Sequence, residues 1–338
     1  MIFLNNENIS MTEAIVKTTI KIAIRDKTNN NLISSGTGFF FAIQNSVDKK
    51  QVVFSILTNK HVINEVLEND QIIDLNIPIL ENGKRDIFPI SIKKGAILLH
   101  DDPDVDLALI YLNTLFEDIH LNSNVISDAV FFTEDDFPPE NMNFRFIEDI
   151  LMIGYPIGIE DNYNHYPIVR KGITATNIQK RYRNKNEFLA DISIFPGSSG
   201  SPIVFYSNGY TINENTGSVS MGFPYSYLIG VAYSGVVQNK FNELETISIP
   251  NKNILGTFNN SSINLGFIIS YKEIKRLQEK LNEKIKKNTK KILFFLIAPF
   301  TENATLFSFY NLTFSNYCFN MFSSKYNYLF FILIIDHY

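Results

Sequence analysis

Near the middle of the chain lies the hexapeptide Gly-Ser-Ser-Gly-Ser-Pro, residues 197–202, which follows Phe-Pro at 195–196 and precedes the apolar run Ile-Val-Phe at 203–205. A nucleophilic serine needs a tight turn flanked by glycine, so that its hydroxyl projects while backbone N–H groups converge on a developing oxyanion. Ser199 lies in such a turn. A short stretch of glycine and serine is, by itself, more often a polar turn. A chemical role for Ser199 therefore depends on partners elsewhere in the chain.

The first partner is a histidine at the end of an apolar run. His61 lies in Ile-Leu-Thr-Asn-Lys-His-Val-Ile, residues 56–63, where the apolar stretch 52–57 enters a polar turn. A neutral imidazole near pH 7 suits a general base. The alternative is a half-buried histidine at a strand end, which is common for isolated histidines. The other four histidines lie beside an acidic run, in polar stretches or at the terminus: His100, His120, His165 and His337.

The second partner is an aspartate at the mouth of another apolar run. Residues 101–106, Asp-Asp-Pro-Asp-Val-Asp, lead directly into Leu-Ala-Leu-Ile at 107–110. A useful orienting carboxylate is sheltered, accepts the imidazole Nδ1–H and fixes the tautomer. Asp106 meets these demands, whereas its main rival, Asp104, lies two residues outside the apolar run and is expected to remain hydrated. The alternative for the whole stretch is a solvated acidic turn.

The three candidates follow the order histidine, aspartate, serine, with separations of 45 residues (61 to 106) and 93 residues (106 to 199). The α/β-hydrolases and the subtilisins use other orders. Together these segments resemble the chymotrypsin-like, trypsin-fold serine peptidases, and specifically the disulfide-free bacterial or intracellular type related to the high-temperature-requirement (Deg) proteases. The resemblance covers about residues 12–280. It implies a catalytic triad of His61, Asp106 and Ser199, with an oxyanion hole formed by the N–H groups of Gly197 and Ser199.

Further segments agree with this family. Residues 35–39, Ser-Gly-Thr-Gly-Phe, resemble the strand that opens the first barrel. Residues 153–158 and 169–176 resemble strands of the second barrel, and residues 230–235 resemble the strand that pairs with the substrate backbone. Each segment could, in isolation, be an ordinary strand with turn glycines.

The resemblance also implies a mode of substrate binding. Tyr233, Ser234 and Gly235 would add the substrate as an extra β-strand. Ser193, six residues before the nucleophile, would lie at the base of the side-chain pocket, where its neutral hydroxyl favours an uncharged P1 residue over Arg or Lys. The implied activity is peptide hydrolysis through an acyl-enzyme, which needs no metal or organic cofactor. The alternatives are an esterase, and a silent or partner-activated trypsin fold used for binding or sensing.

Short β-type runs separated by Asn, Asp, Gly and Pro predict the fold. Residues 14–24 alternate like a half-buried strand. The other runs span 36–44, 51–58, 71–76, 88–93, 105–112, 150–154, 168–176, 187–194, 202–206, 227–237 and 264–269. We therefore predict an all-β protein with two six-stranded antiparallel Greek-key β-barrels, resembling chymotrypsin, followed by a C-terminal helix.

The domain organisation follows from changes in composition. We expect an N-terminal extension at 1–11, a protease-like domain at 12–290, and an atypical apolar, Asn-rich tail at 291–338. Within the domain, the first barrel covers about 12–130, a linker about 131–145, the second barrel about 146–270 and the helix about 271–289. Lysines near the helix end could bind nucleic acid or anionic membrane, but the lack of interleaved aromatic residues favours a solvated helix end.

The tail allows two interpretations. Its two apolar runs are shorter than the ~20 residues that a spanning helix needs, so no transmembrane span is predicted. It is either a membrane-associating or partner-binding segment, or the product of a shifted reading frame near Lys290, and we favour the second.

Composition limits the remaining functional classes. The 338 residues, 45% of them hydrophobic, can form a large core. A net charge of -5 gives no general basic surface for nucleic acid. The single cysteine, Cys318, excludes an intramolecular disulfide, and the first residues lack the pattern of a secretory signal. We therefore expect a cytoplasmic protein. The resemblance implies a protein or peptide substrate, and the partner-activated alternative implies an activating partner protein.

Overall fold

The computed structural model describes residues 1–3, 9–44, 52–69, 71–81, 83–92, 94–112, 125–212, 216–244, 255–297, 318–323 and 329–334. The chain divides into two compact units, Met1–Asn282 and Glu283–Tyr338.

Strands dominate the described residues. The strands are β1 (Ile2–Phe3), β2 (Thr19–Arg25), β3 (Leu32–Gln44), β4 (Val52–Thr58), β5 (Ile72–Glu81), β6 (Lys84–Ile92), β7 (Ile97–Leu99), β8 (Ala108–Tyr111), β9 (Val125–Ser127), β10 (Val130–Phe131), β11 (Asp149–Gly154), β12 (Ile168–Thr174), β13 (Glu187–Asp191), β14 (Pro202–Ser207), β15 (Tyr210–Ile212), β16 (Val219–Met221), β17 (Tyr225–Leu244), β18 (Leu255–Ser270), β19 (Cys318–Ser323) and β20 (Leu329–Ile334). The helices are α1 (Met11–Lys17), α2 (Asn64–Asn69) and α3 (Tyr271–Ile297).

The first half of the larger unit forms an antiparallel sheet. Its strands follow the order β6-β5-β2-β3-β4-β8-β7, and β9 pairs with β5. Its inward side chains are fully buried aliphatic residues such as Ile22, Ile56 and Ile110. We predicted six strands for this half of the domain, whereas the sheet contains eight strands among the described residues. The count was too low because β7 and β9 are only three residues long, too short to give a periodic pattern.

The second half forms a closed barrel with the strand order β11-β12-β13-β18-β17-β14. All of its pairs are antiparallel, and its interior contains buried residues such as Ile150, Phe188, Ile203 and Ile268. The predicted fold class is confirmed: the protein is mostly β, with a closed six-stranded barrel, a second antiparallel sheet and a C-terminal helix.

The strand predicted over residues 14–24 is wrong in its first part, because 11–17 form helix α1. The hydroxyl of Ser10 caps this helix by accepting a hydrogen bond from the Glu13 backbone N–H at 3.2 Å. Glu13 lies in the first turn and Lys17 in the last, which suits the helix dipole. The pattern Ser-x-x-Glu, residues 10–13, is a helix-start signal that outweighs the apolar alternation after it.

The stretch expected to be a linker, 131–145, begins inside the core. Phe131 and Phe132 are fully buried, and β10 pairs with β1. The ring of Phe137 packs 5.5 Å from the ring of Tyr271 at the start of α3. The domain boundaries themselves stay a prediction.

The smaller unit contains the last part of α3 and the antiparallel hairpin of β19 and β20. The rest of the predicted tail, 298–317, 324–328 and 335–338, lies outside the described residues. Among the helices of the described residues, none has the length and apolar character required to cross a membrane.

Candidate active site

The turn at 197–202 requires its two glycines. Gly197 and Gly200 both have positive φ angles, +88° and +87°. A Cβ atom on Gly200 would lie 1.9 Å from the carbonyl oxygen of Thr37, and one on Gly197 would lie 2.5 Å from the carbonyl oxygen of Tyr155. No side chain fits at either position, so the backbone approaches its neighbours at distances that only glycine permits.

Hydrogen bonds fix the orientation of every peptide carbonyl in residues 195–199. The donors to these oxygens, in chain order, are Ser198 N (2.9 Å), Ile157 N (2.6 Å), Thr37 Oγ1 (2.7 Å), Ser201 N (3.1 Å) and Thr37 N (2.9 Å). In contrast, the N–H groups of Gly197 and Ser199 donate to no acceptor in the described part of the chain. The turn therefore leaves unpaired the two donors predicted to form the oxyanion hole.

Thr37 connects this turn to the first sheet. Its hydroxyl donates to the Gly197 oxygen and accepts from the Tyr155 N–H at 3.1 Å. Its N–H donates to the Ser199 oxygen, and its own carbonyl accepts from the Thr58 hydroxyl at 2.7 Å. The side chain is fully buried. Thr37 was quoted in the sequence pattern at 35–39 but was given no role there, because its partner Gly197 lies 160 residues away.

Replacing Thr37 with valine is expected to slow labelling of Ser199 by a fluorophosphonate probe about tenfold, since the isosteric change removes a buried hydrogen bond to the Gly197 carbonyl. Thr37→Ser keeps the hydroxyl and is expected to label within about twofold of the parent chain. The second-order labelling rate is the measurement. Equal slowing in both variants would point to lost packing instead of the lost hydroxyl.

His61 and Asp106 form a pair with two contacts. The His61 backbone N–H donates to Asp106 Oδ1 at 3.0 Å, and its Nδ1 is in close contact with Asp106 Oδ2. The Asn59 side chain donates to the Asp106 carbonyl at 2.7 Å. Because Nδ1 faces a carboxylate, the ring carries its proton there and leaves Nε2 as the acceptor. The imidazole is 44% exposed and the carboxylate 23% exposed, so Asp106 is only partly sheltered.

The rival carboxylate, Asp104, makes no hydrogen bond or ion pair with His61 in the described part of the chain. Its side chain is 76% exposed and approaches Lys185 at 4.0 Å. The neighbouring Lys60 binds the Asp102 carbonyl at 2.8 Å, and burial lowers the pKa of its ammonium despite the nearby carboxylates of Asp106 and Asp102.

The Ser199 hydroxyl donates to the Tyr233 carbonyl at 3.3 Å. Among the described residues, no hydrogen bond joins it to His61. Catalytic hydrogen bonds are often absent or long before substrate binds.

Strand β17 carries the residues predicted to bind the substrate backbone. Its pairing with β14 ends at Val231, whereas Ser234 and Gly235 pair only with β18, opposite Phe267 and Gly266. Beside Ser199, one edge of this segment is therefore not paired with any of the described strands. Burial raises the pKa of the Tyr233 phenol, aided by Glu187, so this side chain remains neutral.

Ser193 is buried, and its hydroxyl donates to the Asn264 side chain. The guanidinium of Arg170 binds the Ser193 carbonyl and lies 5.0 Å from the centre of the Phe195 ring. Arg170 lies in the segment 169–176 that was quoted from the sequence, but it was given no role there. Within the described ranges, no group of three His, Cys, Asp or Glu residues could hold a metal ion.

The first sheet and its connecting loops thus carry a histidine–carboxylate pair, and the glycine-flanked serine lies in a turn that is hydrogen-bonded to Thr37 of that sheet. A family model described as a trypsin-like peptidase domain matches residues 36–212, more than half of the chain. The chain therefore belongs to the trypsin-like peptidase family.

Two solved structures are similar to this chain. The serine endoprotease from Yersinia pestis is 18% identical, with a TM-score of 0.40, and the match covers 82% of this chain and 68% of that one. The inactive form of a mutant of Rv3671c from M. tuberculosis H37Rv is 13% identical, with a TM-score of 0.37 and coverage of 81% and 90%. No curated protein matches the chain in sequence.

Proposed function

We propose that the protein is a serine endopeptidase that hydrolyses peptide bonds through an acyl-enzyme. The observation that carries the proposal is the nucleophile turn: its five carbonyls are all bonded while the N–H groups of Gly197 and Ser199 are not. A turn held in this way offers two unpaired backbone donors to an oxyanion before any reaction begins, and such preorganised donors stabilise an acyl-transfer transition state.

Each residue then has a defined step. His61 Nε2 takes the Ser199 proton as Oγ attacks the substrate carbonyl carbon, and Asp106 stabilises the imidazolium. The two N–H groups bind the tetrahedral oxyanion, each contributing on the order of 3 kcal/mol. The C–N bond breaks as the amine takes the proton from His61, and water, activated by the same base, hydrolyses the ester.

The substrate is proposed to lie as an extended strand along Tyr233, Ser234 and Gly235. Ser193 is proposed to lie at the base of the P1 pocket. Arg170 supports an uncharged P1 residue, because a cation bound to the Ser193 carbonyl would repel a lysine or arginine there. A reducing, cytoplasmic location is proposed from the single cysteine.

A second candidate is a partner-activated protein that rests in an inactive state. One observation favours it: the Ser199 hydroxyl bonds to Tyr233 and not to His61. An activating partner or ligand would then act by turning this hydroxyl toward the base.

The deciding experiment combines a fluorophosphonate probe with a peptide library. A serine endopeptidase is expected to be labelled and to cleave peptides with uncharged P1 residues. Labelling together with cleavage of esters alone would assign an esterase. A folded protein that is neither labelled nor active would favour the partner-activated state.

A further inference from the structure

The carboxylate of the proposed triad lies at the end of a short closed loop, residues 100–107, which we call the acid loop. The His100 N–H donates to the Leu107 carbonyl at 3.0 Å and closes it. Inside the loop, the Val105 N–H donates to the Asp102 carbonyl at 3.2 Å. The direction of the Asp106 side chain thus depends on how this loop is held.

The middle of the acid loop has little apolar support. A polar cavity of about 210 Å³ lies beside it, lined by Asp102, Asp104 and Val105 from the loop and by Asn186, Glu273 and Arg276 from the barrel and helix. Because this side of the loop faces solvent-accessible space and not packed side chains, the loop must be held in place by polar contacts.

Helix α3 makes such a contact with His100, a buried histidine at the start of the acid loop. The His100 side chain is fully buried, and its Nδ1 accepts the Asp102 N–H at 3.1 Å. A neutral ring therefore carries its proton on Nε2, which lies 3.1 Å from Glu273 Oε2. The contact between these two atoms is not a well-aligned hydrogen bond. Neither His100 Nε2 nor Glu273 Oε2 has a hydrogen-bond partner among the described residues.

Further polar contacts complete the connection. Glu273 is itself buried, and its Oε1 accepts from the Asn186 amide at 2.6 Å. Arg276 binds Asp101 at 3.2 Å and lies 3.8 Å from both Asp102 and Glu273. Burial lowers the pKa of His100, opposed by Glu273 and Asp101, so the neutral ring is favoured.

We propose that His100 and Glu273 are positioning residues, through which helix α3 holds the acid loop so that Asp106 faces His61. This inference rests on the proposed function. A buried polar contact of this kind adds little net stability, but it specifies one arrangement of the groups that it joins. Neither residue touches the reacting atoms.

Glu273→Gln tests the proposal with no change in shape. The amide can still accept from Asn186, but its NH₂ then faces the His100 Nε2–H, donor against donor. We expect hydrogen exchange of the acid-loop amides to speed up about tenfold, and labelling of Ser199 to slow about tenfold. Glu279→Gln is the matched control, since it makes the same change at an exposed position of α3. It should alter neither quantity.

His100→Asn is the second variant, in case Glu273→Gln does not fold. Its Oδ1 can replace Nδ1 as acceptor for Asp102, while the contact with Glu273 is removed, so the same two changes are expected. Unchanged exchange in the acid loop overturns the proposal, as does faster exchange spread over the whole chain. Faster exchange confined to the loop with unchanged labelling also overturns it. If the parent chain is not labelled, the proposed function fails, and loop exchange still decides whether the helix holds the loop.

Discussion

Replacing Ser199 with alanine is expected to abolish labelling by a fluorophosphonate probe and any peptide turnover. The proposed chemistry needs a hydroxyl at this position, because the covalent bond to the probe or substrate forms at Oγ. Turn geometry should survive the change: alanine loses the 3.3 Å hydrogen bond from the hydroxyl to the Tyr233 carbonyl, but it keeps the backbone oxygen that accepts from the Thr37 N–H at 2.9 Å. The thermal midpoint of the variant is therefore expected to lie within about 2 °C of the parent, as for a substitution of about 0.5 kcal/mol or less.

The same turn provides two matched controls. Ser198 and Ser201 are fully buried, and neither hydroxyl has a hydrogen-bond partner in the described part of the chain. Their replacement by alanine removes an oxygen without breaking a bond, so labelling rates should stay within about twofold of the parent rate. If the Ser198 variant lost labelling while Ser199→Ala kept it, Ser198 and not Ser199 would be the nucleophile, and the proposal would be wrong.

Local patterns were sufficient to name the candidate residues of the site. A histidine after an apolar run, an aspartate before one, and a serine between glycines are each short enough to be recognised in the sequence. The contact between His61 and Asp106 agrees with that prediction, although the roles of these residues in catalysis stay a prediction. The fold class was predictable for the same reason, since alternating apolar runs with polar punctuation are local signals.

Long-range polar contacts were not predictable. Thr37 binds the turn at 197–202 through Gly197, 160 residues away in the sequence, and His100 contacts a helix that begins 171 residues later (100 to 271). Neither residue type signals such a partner, because a threonine in a strand and a histidine beside an acidic run are ordinary features. Only the packing of the first sheet and its loops against the barrel and helix α3 brings these groups together.

Short elements were missed for a different reason. The first sheet gains β7 and β9, each only three residues long, and such short strands show no alternation to detect. Strand β6 was predicted to begin at 88, but it begins at Lys84. Its first residues are charged, and they belong to the sheet because they pair with the end of β5. Pairing with an established strand here outweighs the low intrinsic β propensity of the charged residues.

Replacing Asp106 with asparagine is also expected to cause a large loss of labelling and peptide turnover. The two carboxylate oxygens have different partners: Oδ1 accepts the His61 backbone N–H, and Oδ2 faces Nδ1 of the ring. An asparagine that keeps its oxygen on the backbone N–H turns its NH₂ toward Nδ1. The ring must then accept at Nδ1 and carry its proton on Nε2, which is the wrong tautomer for a base. We expect labelling and turnover to fall about 10⁴-fold, with the fold intact.

Asp104→Asn is the control, because it makes the same change in the same loop on a side chain that is 76% exposed. Its labelling rate should remain within about twofold of the parent, since an exposed carboxylate contributes little to local order. A large loss in this variant, with Asp106→Asn unaffected, would move the orienting role to the rival carboxylate. Equal losses in both would mean that the net negative charge of the loop, and not one directed hydrogen bond, supports the imidazolium. The tautomer argument predicts neither result, because among the described residues only Asp106 contacts both the ring and the backbone of His61.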